Sequence, residues 1–174
     1  TVMILIKPQT GKGALSGFPT IEEGGNAATE IISSGIVPAG MEIMDKALIE
    51  ATDNFCKAGY PRDAELLLIV ELDGTVSEVD KLLKEVSKIC KKNNCSSLKL
   101  SKNDKERLSF WAGRKAAFPA CGAMAPDYYC MDGTIPRGKL AEALLEIKKL
   151  SKKYNLLVAN CFHAGDGNLH PLIM

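Results

Sequence analysis

The sequence predicts an α+β protein, a ferredoxin-like antiparallel sheet with helices packed mainly on one face. Three observations carry this. Apolar runs of strand length alternate with stretches that repeat their apolar residues at helical spacing, so both element types are present. Some helical stretches follow one another without a strand between them, and the last two strands, "NLLVANCFH" and "NLHPLIM", are separated only by the turn "AGDG". A direct hairpin of that kind belongs to an antiparallel sheet, because parallel neighbours need a long crossover. The third is composition: 174 residues, 46% hydrophobic and 25% charged, suffice for one domain with a substantial core.

Element by element, "TVMILIKP" reads as a strand closed by Pro8, and "QTGKG" as a polar, Gly-containing break before "ALSGF". Thr20 and Glu23 form a capping box that opens a helix carrying Ile31 and Ile32 and stopping at Gly35. "GMEIMD" follows as a strand whose Asp45 caps a helix through Leu48, Ile49 and Phe55. "ELLLIVELDG" is the strongest strand, apolar on both faces and therefore central in a covered sheet. Thr75 and Glu78 make a second capping box, and Val79, Leu82, Leu83, Val86 and Cys90 keep one helical face apolar. "SLKLS" is a short strand. Asp104 starts one helix through Leu108, Trp111 and Phe118 that Pro119 ends, "ACGAMAP" is a loop and "DYYCMDG" a strand. Pro136 suits the first turn of a helix with Leu140, Leu144 and Ile147 on one side.

Composition also narrows function. Twenty-two basic residues nearly cancel twenty-one acidic ones, so no long-range field draws in nucleic acid or an anionic membrane surface. No run approaches the roughly 18 apolar residues of a membrane span, and residues 1 onward show no basic segment followed by a short apolar core and cleavage site, so a soluble, unexported protein is expected. Six cysteines at irregular spacings read as thiols in a reducing cytoplasm, with Cys90 on the apolar stripe of a helix and a Cys90/Cys95 metal or redox pair as the other reading. Both ends look cut, so the chain is expected to be an excised domain of a longer protein.

The chemistry concentrates in "CFHAGDGNLHPLIM", residues 161–174, which holds both histidines. Asp-Gly between apolar strands signals a two-residue type I′ turn. With Asp166 and Gly167 at its centre, paired residues sum to 333 and His163 faces His170, close enough for both imidazoles to share one metal ion, zinc, iron or manganese. Two imidazoles leave such an ion under-coordinated, and a carboxylate has to come from elsewhere. Cys161 lies on the same face, so a Cys-His-His site stays open, as does a hairpin whose histidines are ordinary hydrogen-bonded side chains. Gly165 and Gly167 lack the following helix that a phosphate loop needs.

Arg114 is the second residue of interest. On a helical wheel it falls among Phe110, Trp111 and Phe118, where an unpaired guanidinium is costly. Either it pairs with a buried carboxylate or snorkels, or it grips a substrate carboxylate with two prongs. Tyr128 and Tyr129 read as core and rim of a strand, and the lysines of "KKNN" and "KKLSKKYN" as solvated. Nothing matches a nucleophile elbow, a Walker loop or a Rossmann fingerprint.

Together, "FWAGRKAAFPA", "YYCMDGTIPRGKL" and "NCFHAGDGNLHPLI", with "GIVPAGMEIMD" and "LLLIVELDG" before them, resemble the C-terminal cap domain of FAD-linked oxidases of the vanillyl-alcohol oxidase superfamily. Within that superfamily it resembles in particular the flavin subunits of glycolate oxidase and the D-lactate dehydrogenases. The resemblance implies a flavoenzyme in which an N-terminal domain of the same chain holds FAD, the cap supplies the substrate pocket, and a small D-2-hydroxy acid passes hydride to flavin. It also implies a divalent metal at His163 and His170, with Asp166 and Asn168 behind them, and a substrate carboxylate on Arg114. An iron-sulfur electron-transfer subunit is an implied partner, and the implied location is cytoplasmic, peripheral to the inner face of the membrane through that partner.

On this resemblance, residues 1–10 are a residual strand of the preceding FAD-binding domain and 11–174 are the cap domain, truncated at its C-terminus. The family's "EHG" segment, with its metal-binding glutamate and a catalytic histidine, is absent, so the catalytic base and third metal ligand are expected beyond residue 174 and the fragment alone is expected to be inactive. Cys130 stands where the 2-hydroxyglutarate-oxidising branch has lysine, which favours glycolate or lactate. The alternative is a non-catalytic ferredoxin-like module that binds a small molecule or a metal.

Overall fold

A computed structural model describes residues 7–174. The strand expected over "TVMILIKP" falls mainly on residues 1–6, outside the described residues. The elements in chain order are β1 (Thr10–Phe18), α1 (Ile21–Ser33), β2 (Gly40–Asp45), α2 (Lys46–Cys56), β3 (Leu66–Gly74), α3 (Val76–Lys92) and β4 (Ser97–Leu100). There follow α4 (Asp104–Phe110), α5 (Ala112–Lys115), α6 (Ala117–Gly122), β5 (Tyr129–Cys130) and β6 (Gly133–Thr134). A 3₁₀ turn (Arg137–Lys139), α7 (Leu140–Tyr154), β7 (Val158–His163) and β8 (Asn168–Ile173) complete the chain.

One eight-stranded sheet runs β4-β1-β3-β2-β7-β8-β5, with β6 also on β8, and each of its ladders is antiparallel. The first four strands with α1 and α3 form the β-α-β-β-α-β unit of a ferredoxin-like fold, and α2 is inserted between β2 and β3. The β7–β8 hairpin then extends the sheet past β2.

Local chemistry explains the regular part. Thr20 accepts a hydrogen bond from the Glu23 amide at the start of α1, Asp45 from the Leu48 amide at the start of α2, and Thr75 and Glu78 cap α3 reciprocally. Side chains of β3 alternate between two cores. Leu66, Leu68, Val70 and Leu72 pack beneath α1, α3 and α7, while Leu67 and Ile69 meet α2, Phe110 of α4, and Ala117 and Cys121 of α6. The α+β class and the antiparallel sheet are as the sequence predicts. The three longest helices share one face, and the second face is covered by α2 and the short helices α4 to α6.

Three expectations are corrected. The polar "QTGKG" is not a break: from Thr10 onward it lies within β1, laddered to β3 from Thr10↔Gly74 to Phe18↔Leu66, because inter-strand pairing overrides weak local propensity. The single helix expected from Asp104 to Phe118 is three, and Pro119 does not end it but occupies the first turn of α6, where its missing N–H has no partner to lose. The break between α4 and α5 is bridged by Tyr60, whose hydroxyl donates to the Phe110 carbonyl at 2.6 Å and accepts from the Arg114 amide at 3.0 Å. A side chain at position 113 would run into the Tyr60 ring, so Gly113 is what lets α5 sit this close. Finally, "DYYCMDG" gives only two exposed two-residue strands, both on β8.

Candidate functional site

The hairpin differs in register from the sequence expectation. Paired residues sum to 331, so His163 lies opposite Asn168 and His170 opposite Cys161. The connection is a four-residue loop, Ala164 to Gly167, in which the His163 carbonyl accepts from the amides of Asp166 and Gly167. A type I′ turn needs positive φ at both central residues, and here only Gly167, at 83°, has it. Any side chain at Gly167 would also strike the Ile135 carbonyl. The slip is by two residues, an even number, so the histidines keep a common face. Their ring centroids are 5.2 Å apart and nearly perpendicular, at 89°.

That face belongs to the second core, under α4 to α6. The β2 alternation sends Met41 and Ile43 to the α1/α3/α7 side and Glu42 and Met44 to the other, beside His163, its partner on β7. Glu42 is buried and both its oxygens are engaged. Oε1 lies 2.6 Å from His163 Nδ1, and Oε2 accepts from Arg114 Nε at 2.8 Å. The structure thus gives Arg114 its buried carboxylate partner and, through the same carboxylate, joins it to His163. Its two Nη groups make no hydrogen bond among the described residues. Glu42 and His163 also line a groove of about 420 Å³ with Gly40, Gly165 and Arg137.

The remaining candidates divide. His170 faces its partner histidine, with Nδ1 3.8 Å from an Asp132 oxygen, beyond hydrogen-bond reach. Asp166 accepts from the Asn168 amide at 3.0 Å and so shapes the loop, while the Asn168 side-chain oxygen is buried without a partner. Neither hydrogen-bonds an imidazole among the described residues. Cys161 is buried, and desolvation pushes its thiol up to about 12, so it is a neutral core residue rather than a thiolate ligand. Cys90 is likewise buried and pushed up to about 11, and all six cysteines are free.

The donor set does not complete a metal site. Two imidazoles converge, but Glu42 is committed to Arg114 and His163, and no group of three or more His, Cys, Asp or Glu able to hold a metal ion occurs among the described residues. The expected divalent metal is therefore not supported by these residues.

Glu42 escaped sequence reading. Its signal was present: an acid flanked by Met41, Ile43 and Met44 in a strand with two strand neighbours must find a cation. No helix among the described residues is long and apolar enough to cross a membrane.

Comparison with known proteins gives a family model, FAD linked oxidases, C-terminal domain, that matches residues 7–174. The chain is 49% identical over its whole length to the glycolate oxidase subunit GlcD of Escherichia coli (strain K12), covering 35% of that protein. It is 29% identical to the Bacillus subtilis (strain 168) subunit of that name over 98% of the chain and 36% of the relative. Identity is 32% to the mitochondrial D-lactate dehydrogenase [cytochrome] of Arabidopsis thaliana, over 96% and 30%. The chain thus spans about a third of these relatives. Among solved structures, alkyldihydroxyacetonephosphate synthase superimposes with a TM-score of 0.65 at 17% identity, over 95% of this chain and 36% of that one. For p-cresol methylhydroxylase with substrate bound the TM-score is 0.60 at 15% identity, over 96% and 39%. At such identities the likeness concerns the fold.

Proposed function

We propose a function on the premise that the chain belongs to the FAD-linked oxidase family, as its C-terminal domain. In the full protein it forms the substrate side of a flavoenzyme that oxidises a small D-2-hydroxy acid, glycolate or D-lactate, to the 2-oxo acid. The observation that carries this reading is the convergence of Arg114 and His163, from distant parts of the chain, on Glu42. The names of the relatives, glycolate oxidase subunit and D-lactate dehydrogenase, support the substrate class.

With Nε occupied, the Nη groups of Arg114 form a planar fork that matches a carboxylate. With Nδ1 donated to Glu42, His163 is left Nε2 to accept from the substrate hydroxyl. Holding both ends of a two-carbon hydroxy acid fixes the direction of its C2 hydrogen. Bound FAD, held mainly by the rest of the protein, supplies the hydride acceptor. Onward transfer to an iron-sulfur partner, at the inner face of the membrane, belongs to the same reading. The test is anaerobic mixing of the full-length flavoprotein with glycolate, D-lactate, L-lactate and D-2-hydroxyglutarate. Flavin bleaching by the first two is expected, and none by any 2-hydroxy acid overturns the reading.

A metal bridging His163 and His170 remains a narrower proposal, favoured by the one ring nitrogen of His163 that Glu42 leaves free. It needs at least one donor from outside this chain. Metal analysis of the full-length protein and of its His163→Ala/His170→Ala variant decides it: equal metal content in both removes the idea.

A further inference from the structure

We propose that Glu42 is the positioning residue for Arg114 and His163, one carboxylate setting the rotation of the guanidinium and the tautomer of the imidazole together. This rests on the preceding reading that these two side chains meet the substrate. Glu42 sits on β2 between β3 and β7, with only 10% of its side chain exposed. The Arg114 side chain is 13% exposed and that of His163 39%, so the charge is buried at the carboxylate and opens to solvent at the ring.

An ionised carboxylate only accepts hydrogen bonds, so both contacts are donated to it. Arg114 gives Nε–H, which leaves its two Nη groups as the unfilled end of a rigid fork. His163 gives Nδ1–H, so in the neutral ring the lone pair belongs to Nε2 alone. A carboxylate hydrogen-bonded to one imidazole nitrogen orients the ring and fixes which nitrogen does the work. The two functional side chains lie 49 positions apart in sequence (163 − 114), on different elements, and Glu42 is the group that touches both.

Glutamine in this place has one acceptor oxygen and one NH₂ donor, so it cannot present a separate oxygen to each of the two N–H groups as Glu42 does. Glu42→Gln is therefore expected to turn its NH₂ toward one of them, moving His163 to the Nε2–H tautomer or releasing Arg114. Full-length protein labelled with ¹⁵N-histidine reports the tautomer through long-range ¹H–¹⁵N couplings, and steady-state oxidation of D-lactate and glycolate reports function.

The expected result is an Nδ1–H ring in the parent and an altered tautomer in Glu42→Gln. It comes with a fall in kcat/KM on the order of ten- to a hundredfold, the usual range for groups that orient active side chains. Glu42→Asp, which keeps the charge, is expected to recover part of the loss. Glu71→Gln, which breaks a different Arg–Glu pair on the same face, is expected to keep the kinetics and lose only melting temperature. A folded Glu42→Gln with unchanged tautomer and unchanged KM overturns the proposal, as does an equal kinetic loss in Glu71→Gln. If Glu42→Gln does not fold, the ring tautomer of the parent protein decides, and a neutral His163 protonated at Nε2 rather than Nδ1 overturns the proposal. Normal turnover in Arg114→Met and His163→Gln would sink the functional reading before Glu42 is touched, so the two failures are told apart.

Discussion

Two Arg–Glu pairs occupy the same covered face, and they differ in one partner. Arg107 of α4 meets Glu71 of β3 at 2.5 Å, and Arg114 of α5 meets Glu42 of β2 at 2.8 Å. The arginines are seven positions apart in sequence, on consecutive short helices, and the glutamates lie on adjacent strands. Arg107 adds Asp104 at 3.2 Å, so that pair closes on acids and ties α4 to the sheet. The Glu42 pair opens instead onto an imidazole. The same ion-pair chemistry thus serves as a staple in one place and as a handle in the other, and the third group decides which.

The largest effect that separates them should come from Arg114→Met. Loss of a charged hydrogen bond to substrate is expected to cost roughly 1.5–3 kcal/mol in kcat/KM, with KM rising. A drop in stability with kinetics untouched would make both pairs staples. Arg107→Met should do the opposite, lowering stability by roughly 1–2 kcal/mol in denaturant unfolding and leaving kcat/KM in place. A kinetic loss there would extend the handle to α4.

Asp45 sharpens the contrast with the smallest effect. It sits three residues along β2 from Glu42, and its hydrogen-bond partners are the Leu48 amide and Asn160 rather than a cation. Burial pushes its carboxyl up to about 6, against roughly 3.9 for a free aspartate. The folded state therefore binds the proton more tightly than the unfolded chain. The stability this contributes is complete below about pH 4 and is lost as pH rises through about 6. Asp45→Asn retains a good helix cap and should remove that slope, with a gain on the order of 1 kcal/mol at pH 7. An unchanged pH dependence of the melting temperature would show that Asp45 titrates normally.

The ferredoxin-like unit was legible because its signals are local. Thr20, Asp45, Thr75 and Glu78 announce helix starts, and the apolar β3 announces a covered centre. The segment from Asp104 to Thr134 was not, because its breaks are imposed by distant groups such as the Tyr60 hydroxyl between α4 and α5. At the site, Arg114 and the two histidines stood out as polar residues in apolar company. Turn chemistry put the histidines on one face despite an incorrect register, since a slip of two preserves the face. Glu42 stayed hidden because a wheel or a hairpin sees only near neighbours, and its partners are 72 and 121 positions away.

The join between β2 and β7 has a consequence for how the protein matures. It is a ladder of three pairs, Glu42↔His163, Ile43↔Phe162 and Met44↔Cys161, between segments more than a hundred residues apart. Contacts of such separation form late, after the local helices and hairpins, because the entropy of closing the intervening loop must be met first. A molecule with its first four strands assembled and the last hairpin undocked would hold most of its helix and much of its core, yet leave Glu42 without its imidazole partner. Amides along β2 and β7 would then report by hydrogen exchange whether a preparation is competent, where circular dichroism would call it folded.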